Sequence, residues 1–269
     1  MTDGATTLER RGAIATLTLS RPERLNAMGD EVWRGIDAAV VDCEQRRPRA
    51  LVVTGAAGNF SVGFDLRGDN PLLGEIERSM RERDPAPARG MLRRINMILH
   101  RLGRLRCPTI AAIEGFACGG GLELALACDL RVVSRASKLA MRATALGLAP
   151  SLGGTVRLTR LVGPARALDL IATSRCFDGE EAFRLGVADR LVEPGTAFDA
   201  AIALAQQMER NGPKAVRAAT ELTRRVPELD DRDAFDRELD RSVKVIVSGQ
   251  PAEGLAAFRE KREARFRDT

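Results

Sequence analysis

Apolar residues along the first 195 positions follow two spacings in turn. Short runs of β-branched and small aliphatic residues indicate buried strands, and longer stretches with apolar residues at helical spacing indicate helices. The strands are predicted at 13–19, 50–55, 109–113, 130–134 and 187–192. The helices of this part are predicted at 29–46, 90–105, 119–128, from 153 onwards and at 178–186. This alternation predicts an α/β fold.

The helix predicted at 178–186 carries its own start and stop signals. Asp178 can cap its first turn, and Glu181 lies at the third helical position, where an acid completes a capping box. Gly186 follows the last helical residue and is expected to end the helix.

The stretch at 67–90, RGDNPLLGEIERSMRERDPAPARG, interrupts the alternation. It is rich in Gly, Pro and charged residues, a composition that predicts a mobile loop or a frayed helix. After residue 195 the pattern is helical, with helices predicted at 196–210, 213–225, 231–247 and 251–265. We therefore divide the chain into a β/α core at 1–195 and a C-terminal helical part at 196–269.

The composition allows one large domain with a sizeable core, because the 269 residues are 44% hydrophobic. The net charge of +5 is modest for this length and fits an anionic small molecule at least as well as nucleic acid. The five cysteines are scattered and form no C-x-x-C pair, which predicts reduced thiols in a cytoplasmic protein.

The sequence disfavours a metal site, a Ser–His–Asp hydrolase, a signal peptide and a transmembrane helix. His100 is the single histidine, so the sequence predicts no metal site and no Ser–His–Asp hydrolase unless His100 is the base. The N-terminal MTDGATTLERR has no apolar segment typical of a signal peptide. No stretch approaches the ~18 consecutive apolar residues of a transmembrane helix, so no membrane contact is expected.

The segment FACGGGLELALACDL, residues 116–130, places three consecutive glycines at the start of an apolar helix. A helix N-terminus offers unpaired N–H groups, and glycine lets a ligand approach them closely. The spacing matches neither common phosphate loop, and Glu123, three residues after Gly120, would repel a phosphate. Gly120 and Glu123 together suit a ligand with a carbonyl oxygen that becomes anionic. The N–H group of Gly120 would hold that oxygen while the acid transfers a proton. The alternative is that Glu123 only stabilises the first helical turn.

Six stretches, in order along nearly the whole chain, are similar to motifs of the enoyl-CoA hydratase/isomerase (crotonase) superfamily. They are SRPERLNAM (20–28), NFSVGFDL (59–66), AAIEGFACGGGLELALACDLRV (111–132), ALGLAPSLGGTVRLTRLVG (145–163), GEEAFRLGVADRLV (179–192) and GLAAFREKREARF (254–266). The resemblance implies a crotonase-like spiral of ββα units with a C-terminal helical region. That region would serve oligomerisation, as a homotrimer or a dimer of trimers, and would cover the active site.

The same resemblance implies an acyl-CoA thioester as substrate, with coenzyme A carried by the substrate and no permanently bound cofactor. The backbone N–H groups of Phe64 and Gly120 would hold the thioester oxygen, and Glu123 would be the acid/base. Phe64 departs from the small residue common at its position, so its ring would shape the mouth of the site. The implied contacts to coenzyme A are Arg24, Leu25, Val62, Asp65, Leu66, Phe258 and Lys261.

One feature of the family's hydratases is missing from the sequence. When the sequences are aligned on Pro150, Ala143 occupies the position of the second acid in these enzymes. Ser151 occupies the position of the acid that dienoyl-CoA isomerases carry. Alanine transfers no proton, so standard hydratase activity is in doubt. Acids of the 67–90 stretch that could reach the pocket instead are Asp69, Glu75 and Glu77.

Several functions therefore stay open at this stage. The first is an enzyme of the hydratase/isomerase type with Glu123 as its acid/base. The second is a Δ3/Δ2-enoyl-CoA isomerase, and the third is an acyl-CoA-binding homologue without catalysis. RNA binding, a side activity in this superfamily, is permitted by the pI of 9.3, but few aromatic residues accompany the basic ones. We expect no nucleic-acid partner.

Overall fold

The computed structural model describes residues 4–267 and contains a six-stranded and a three-stranded sheet. The strands are β1 (Thr6–Arg11), β2 (Ile14–Leu19), β3 (Ala50–Gly55), β4 (Thr109–Ile113), β5 (Phe116–Cys118), β6 (Leu130–Ser134), β7 (Lys138–Ala140), β8 (Phe177–Asp178) and β9 (Arg190–Val192). The larger sheet has the order β1-β2-β3-β4-β6-β9, antiparallel between β1 and β2 and parallel elsewhere. The smaller sheet has the order β5-β7-β8.

Eleven α-helices connect and cover these sheets within the described residues. They are α1 (Asp30–Arg46), α2 (Pro71–Glu82), α3 (Ala86–Leu102), α4 (Gly120–Ala127), α5 (Gly154–Val162), α6 (Pro164–Thr173), α7 (Gly179–Leu185), α8 (Ala197–Glu209), α9 (Pro213–Arg225), α10 (Asp231–Val247) and α11 (Gln250–Glu260). The prediction of an α/β fold is confirmed. No helix in residues 4–267 has both the length and the hydropathy needed to cross a bilayer.

The prediction of a mobile loop or frayed helix at 67–90 was wrong, because this stretch forms α2 and the start of α3. The Asn70 side chain caps α2 by accepting a hydrogen bond from the Leu72 nitrogen, and Pro71 occupies the first turn. Leu72 and Met91 are buried in the main core. Capping and burial therefore outweigh the polar composition.

Three other boundaries differ from the sequence prediction. Strand β9 begins at Arg190 rather than 187, because the Val187 and Ala188 nitrogens donate to the Ala182 carbonyl and close the turn after α7. Helix α3 spans 86–102 rather than 90–105. Helix α11 ends at Glu260, where the next residue, Lys261, adopts a left-handed conformation with φ of 54°.

The larger sheet is buried on both faces, as its mostly parallel order requires. One face packs with α1, α3 and α4 into the main core. Helix α8 covers the other face, where Ala201 and Ala205 lie against Val52, Ile110 and Val132. The first helix of the C-terminal part therefore packs on the sheet of the core, and the division at residue 195 stays a prediction.

Candidate active site

The turn from β5 into α4 frees the Gly120 N–H group from the helix. Gly119 has φ of 48° and ψ of −120°, a conformation that favours glycine. Its nitrogen donates to the Ala140 carbonyl at 2.8 Å, and its carbonyl accepts from the Glu123 nitrogen at 3.0 Å. Gly120 is the first helical residue, so its N–H has no acceptor within α4.

The segment around Phe64 lies directly against this turn. Met28 pairs with Phe64 in a parallel bridge, through the Gly63 carbonyl and the Asp65 nitrogen, which leaves the Phe64 N–H on the opposite side. A Cβ on Gly63 would lie 3.0 Å from the Gly120 nitrogen, and a Cβ on Gly120 would lie 3.5 Å from the Phe64 nitrogen. Neither N–H donates to an acceptor within residues 4–267. Two unused donors therefore lie side by side.

Glu123 lies one turn along α4 from Gly120 and is buried, with only 4% of its surface exposed. Its Oε1 atom accepts hydrogen bonds from the Leu152 and Gly154 nitrogens, both at 2.8 Å. Its Oε2 atom accepts no hydrogen bond from any residue between 4 and 267. One oxygen is therefore fixed by the backbone, and the other is available to a ligand.

Burial raises the pKa of the Glu123 carboxyl above its ordinary value. The hydrogen bonds from Gly154 and Leu152 and the positive charge of Arg157 oppose this effect without cancelling it. Arg157 holds the same loop from behind, because its Nη1 atom donates to the Leu152 carbonyl at 2.8 Å. A carboxyl with a raised pKa is suited to both accepting and delivering a proton near neutral pH.

No carboxylate lies at the position where the family's hydratases carry a second acid. Ala143 precedes a 3₁₀ turn at Thr144–Leu146, and its carbonyl accepts from the Leu146 and Leu148 nitrogens. The neighbouring hydroxyl of Thr144 is 2.6 Å from that of Ser174. Ser151 is exposed. The hydroxyls next to Ala143, those of Thr144 and Ser174, are therefore already committed to hydrogen bonds.

Acids of the 67–90 stretch take other roles. The carboxylate of Asp69 is exposed and pairs with Arg24 at 2.7 Å. Glu75 and Glu77 lie on α2, and neither forms an ion pair within residues 4–267. The structure thus brings none of the three into hydrogen-bond contact with Glu123.

Five of the predicted coenzyme A contacts lie in two adjoining segments, at 24–25 and 62–66. The Val62 nitrogen donates to the Leu25 carbonyl at 3.1 Å, which aligns the two segments beside Phe64. Leu25 and Leu66 are exposed and offer apolar surface. The guanidinium of Arg24 is already paired with two carboxylates, those of Asp65 and Asp69.

Asp65 is a buried anchor for this region rather than an open polar group. It accepts hydrogen bonds from Arg21 and Arg24, both at 2.9 Å. Burial alone would raise the pKa of Asp65, but the bonds from Arg24, the Arg67 nitrogen and Arg21 outweigh it and hold that pKa below its ordinary value. Arg21 was not singled out from the sequence.

Asn26 is a second residue that sequence reasoning missed. It is fully buried, with φ of 56°, and its Nδ2 atom donates to the Ala56 and Asn59 carbonyls. Its own carbonyl accepts from the Ser61 hydroxyl at 2.7 Å. Asn26 therefore ties the first loop to the segment that carries Phe64.

Phe258 and Lys261 are not brought to this site within one chain. Helix α11 packs against α10, and Phe258 is 84% exposed. No hydrogen bond or ion pair within residues 4–267 joins either side chain to the Phe64–Gly120–Glu123 group. His100 is exposed on α3, as expected for a helix-surface residue. The described residues contain no cluster of three His, Cys, Asp or Glu side chains that could hold a metal.

Comparison with known proteins agrees with this arrangement. A family model described as "Enoyl-CoA hydratase/isomerase" matches residues 9–269. A curated protein named short-chain-enoyl-CoA hydratase, from Clostridium acetobutylicum, is 31% identical over 258 residues, covering 95% of each chain.

Solved structures match nearly the whole chain as well. The structure of DspI from Pseudomonas aeruginosa has a TM-score of 0.87 and 33% identity, and the match covers 98% of this chain and 97% of that one. A structure named as a putative enoyl-CoA hydratase from Thermobifida fusca, in complex with acetoacetyl-CoA, has a TM-score of 0.83 and 31% identity. That match covers 92% of this chain and 96% of the other.

Proposed function

Because the chain belongs to the enoyl-CoA hydratase/isomerase family, we propose that it is an enzyme that binds an acyl-CoA thioester and moves a proton beside its carbonyl group. One observation carries this proposal. The unused N–H groups of Phe64 and Gly120 lie side by side, and the buried carboxyl of Glu123 follows one helical turn later.

The two N–H groups would act on the thioester oxygen. Loss of a C2 proton turns the thioester into an enolate, whose negative charge collects on that oxygen. Both donors belong to the backbone, and Gly120 lies at the positive end of the α4 dipole. Donors fixed in this way stabilise the developing charge without reorganisation, and each contributes ~10²–10³ in rate.

Glu123 would transfer the proton through its Oε2 atom. Since Oε1 is held by Leu152 and Gly154, the carboxyl cannot rotate freely, and Oε2 keeps one orientation. The raised pKa brings the protonated and ionised forms closer in free energy than in water. One carboxyl can then remove a proton from one carbon and return it to another.

Ala143 favours reactions that need a single acid/base. In a Δ3/Δ2-enoyl-CoA isomerisation, Glu123 would take a proton from C2 and return it to C4 while the double bond moves, so no further reactant is needed. Hydration of a 2-enoyl thioester would require Glu123 to position water as well as protonate C2. Isomerisation is therefore our second candidate beside hydration.

A second copy of the chain would complete the coenzyme A site. The exposed apolar side chains of α10 and α11 favour an oligomer, which we propose to be a homotrimer or a dimer of trimers. These side chains are Phe235, Leu239, Val243, Ile246, Val247 and Phe258. In such an assembly Phe258 and Lys261 would reach the coenzyme of a neighbouring chain.

The test is a panel of 2-enoyl-, 3-enoyl- and saturated acyl-CoA thioesters, with products identified by mass and by deuterium uptake at C2. Glu123→Gln should retain thioester binding but lose turnover and C2 exchange by ~10²–10⁴-fold. Glu77→Gln, on the exposed side of α2, is the matched control and should behave as wild type. Tight binding without C2 exchange in the wild type would overturn catalysis and leave a binding protein.

A further inference from the structure

A basic cavity of about 660 Å³ lies apart from the Phe64–Gly120–Glu123 group. Its walls are the end of α3 with the loop at 103–106, the whole length of α9 with the turn after it, the end of α10, and Arg157 of α5. We call this space the basic cavity. Its volume falls within the ~300–1,000 Å³ typical of small-molecule sites.

Positive charge dominates the lining of the basic cavity. Nine arginines and lysines face it, against only two carboxylates, Glu221 and Glu228. Both carboxylates are already engaged: Glu221 pairs with Arg241, and Glu228 pairs with Arg160 from outside the lining. Neither therefore balances the remaining cations.

Five of the nine cations have no counter-charge among residues 4–267. Asp129 neutralises Arg224 at 2.6 Å. Five other cations of the lining form no ion pair with any residue between 4 and 267, namely Arg104, Arg106, Lys214, Arg225 and Lys244. Like charges gathered in one concavity repel each other and focus a positive potential, which a bound anion relieves.

We propose that the basic cavity binds a compact polyanion that carries two or more phosphate groups. Arginine forks suit phosphate oxygens, and the cations converge from one loop and three helices rather than along one exposed face. The lining contains no Phe, Tyr or Trp, and its single aromatic ring is the imidazole of His100. One imidazole does not provide the row of aromatic rings on which successive bases stack, so the occupant is a small polyphosphate rather than nucleic acid.

The loop at 152–154 separates the basic cavity from the carboxyl of Glu123. Arg157 lines the cavity and donates to the Leu152 carbonyl, while the Leu152 nitrogen donates toward Glu123 on the other side. The polyanion is therefore a different ligand at a different place from the thioester, although the phosphates of coenzyme A share its chemistry.

Titration calorimetry with sodium tripolyphosphate at constant ionic strength tests this site. We expect saturable binding of one anion per chain. The triple variant Lys214→Gln, Arg225→Gln, Lys244→Gln should bind ~10-fold or more weakly. The matched control removes three exposed cations outside the lining, by Arg11→Gln, Lys138→Gln and Arg190→Gln, and should stay within ~2-fold of wild type.

Three results would overturn the proposal. They are no saturable binding, equal weakening in the two triple variants, or stoichiometric displacement of tripolyphosphate by acetoacetyl-CoA, which would make the cavity the coenzyme A phosphate pocket. Binding that persists beside acetoacetyl-CoA and weakens only in the lining variant supports it. If the lining triple variant does not fold, Lys244→Gln alone, on the exposed part of α10, should weaken binding ~2–3-fold.

Discussion

Gly154 and Glu123 approach so closely that no side chain fits between them. A Cβ on Gly154 would lie 2.7 Å from both Cγ and Oε1 of Glu123 and 2.5 Å from Cε of Met141. Contacts under about 3 Å force a neighbour to move, and the neighbour here is the proposed acid/base. The absence of a side chain at Gly154 is therefore part of how Glu123 is oriented.

Gly154→Ala should displace the Glu123 carboxyl and weaken its hydrogen bond from residue 154. We expect a loss of about 1–3 kcal/mol in the free energy of unfolding and a larger loss in kcat than in thioester affinity. Urea unfolding and steady-state kinetics measure the two effects. Gly74→Ala is the control, because a Cβ there meets nothing within 4 Å and an alanine favours α2.

The raised pKa of Glu123 predicts the acid limb of the pH–rate profile. The base form is the carboxylate, so kcat/KM should fall as pH drops through a pKa that lies above 4.5. A limb at or below 4.5 would contradict a desolvated Glu123 as the base. The profile of kcat/KM against pH, recorded with the preferred thioester, decides this.

The raised pKa of Glu123 also predicts how the stability of the protein changes with pH. The folded protein holds the Glu123 proton more tightly than the unfolded chain does, so the contribution of Glu123 to stability falls as pH rises from 4.5 through the raised pKa. Glu123→Gln has no such titration. The variant should therefore be more stable relative to wild type at pH 7 than at pH 4. Its free energy of unfolding minus that of wild type should increase between these pH values, and a constant difference would contradict the prediction.

Phe64→Ala should separate the role of the ring from that of the backbone. The proposed donor is the N–H group, which the substitution keeps, so kcat on short acyl thioesters should stay within ~10-fold of wild type. The preferred acyl chain should change, because the ring is partly buried against the main core at the site. A loss of ~10²–10³ in kcat on every substrate would instead show that the ring itself positions the donors.

Asp65→Asn should destabilise the first loop strongly. The substitution leaves Arg21 and Arg24 without their shared buried carboxylate, and breaking such a pair costs about 3–5 kcal/mol. Because the pKa of Asp65 is lowered, this stabilisation is present above pH 3.8 and is lost as pH falls below it. Asp69→Asn, at the exposed end of the same network, is the control and should change unfolding little. Equal effects in the two variants would contradict the role of burial.

Local signals in the sequence predicted much of the fold. Helix α7 has the predicted cap, since Asp178 accepts from the Glu181 nitrogen, and Gly186 ends the helix with φ of 80°. The strands of the smaller sheet were missed because they have only two or three residues, too few to show a period. Residues 67–90 were misjudged because burial of Leu72 and Met91 depends on distant partners.

Spacing along the sequence predicted the site only where one segment contains both partners, and the pairing of Phe64 with Gly120 was implied by the family resemblance alone. Gly120 and Glu123 share one helix face, so their relation follows from helical spacing. The contact of Glu123 with Leu152 and Gly154 spans about 30 residues, and periodicity carries no information about it. The roles of Arg21 and Asn26 depend likewise on contacts between loops.

The polar centre of the site depends on the path of the main chain rather than on the identity of its side chains. Four N–H groups surround it, at Phe64, Gly120, Leu152 and Gly154, and Glu123 contributes the one side chain to which we assign a chemical role. At position 64 the side chain is only partly buried, so it can change size and polarity without removing the proposed donor, whereas Leu152 is buried in the main core. Saturation mutagenesis at position 64 should therefore shift the substrate range over many residues, with proline excluded because it has no N–H. Under the proposed mechanism, specificity would evolve at this position while the chemistry stays constant.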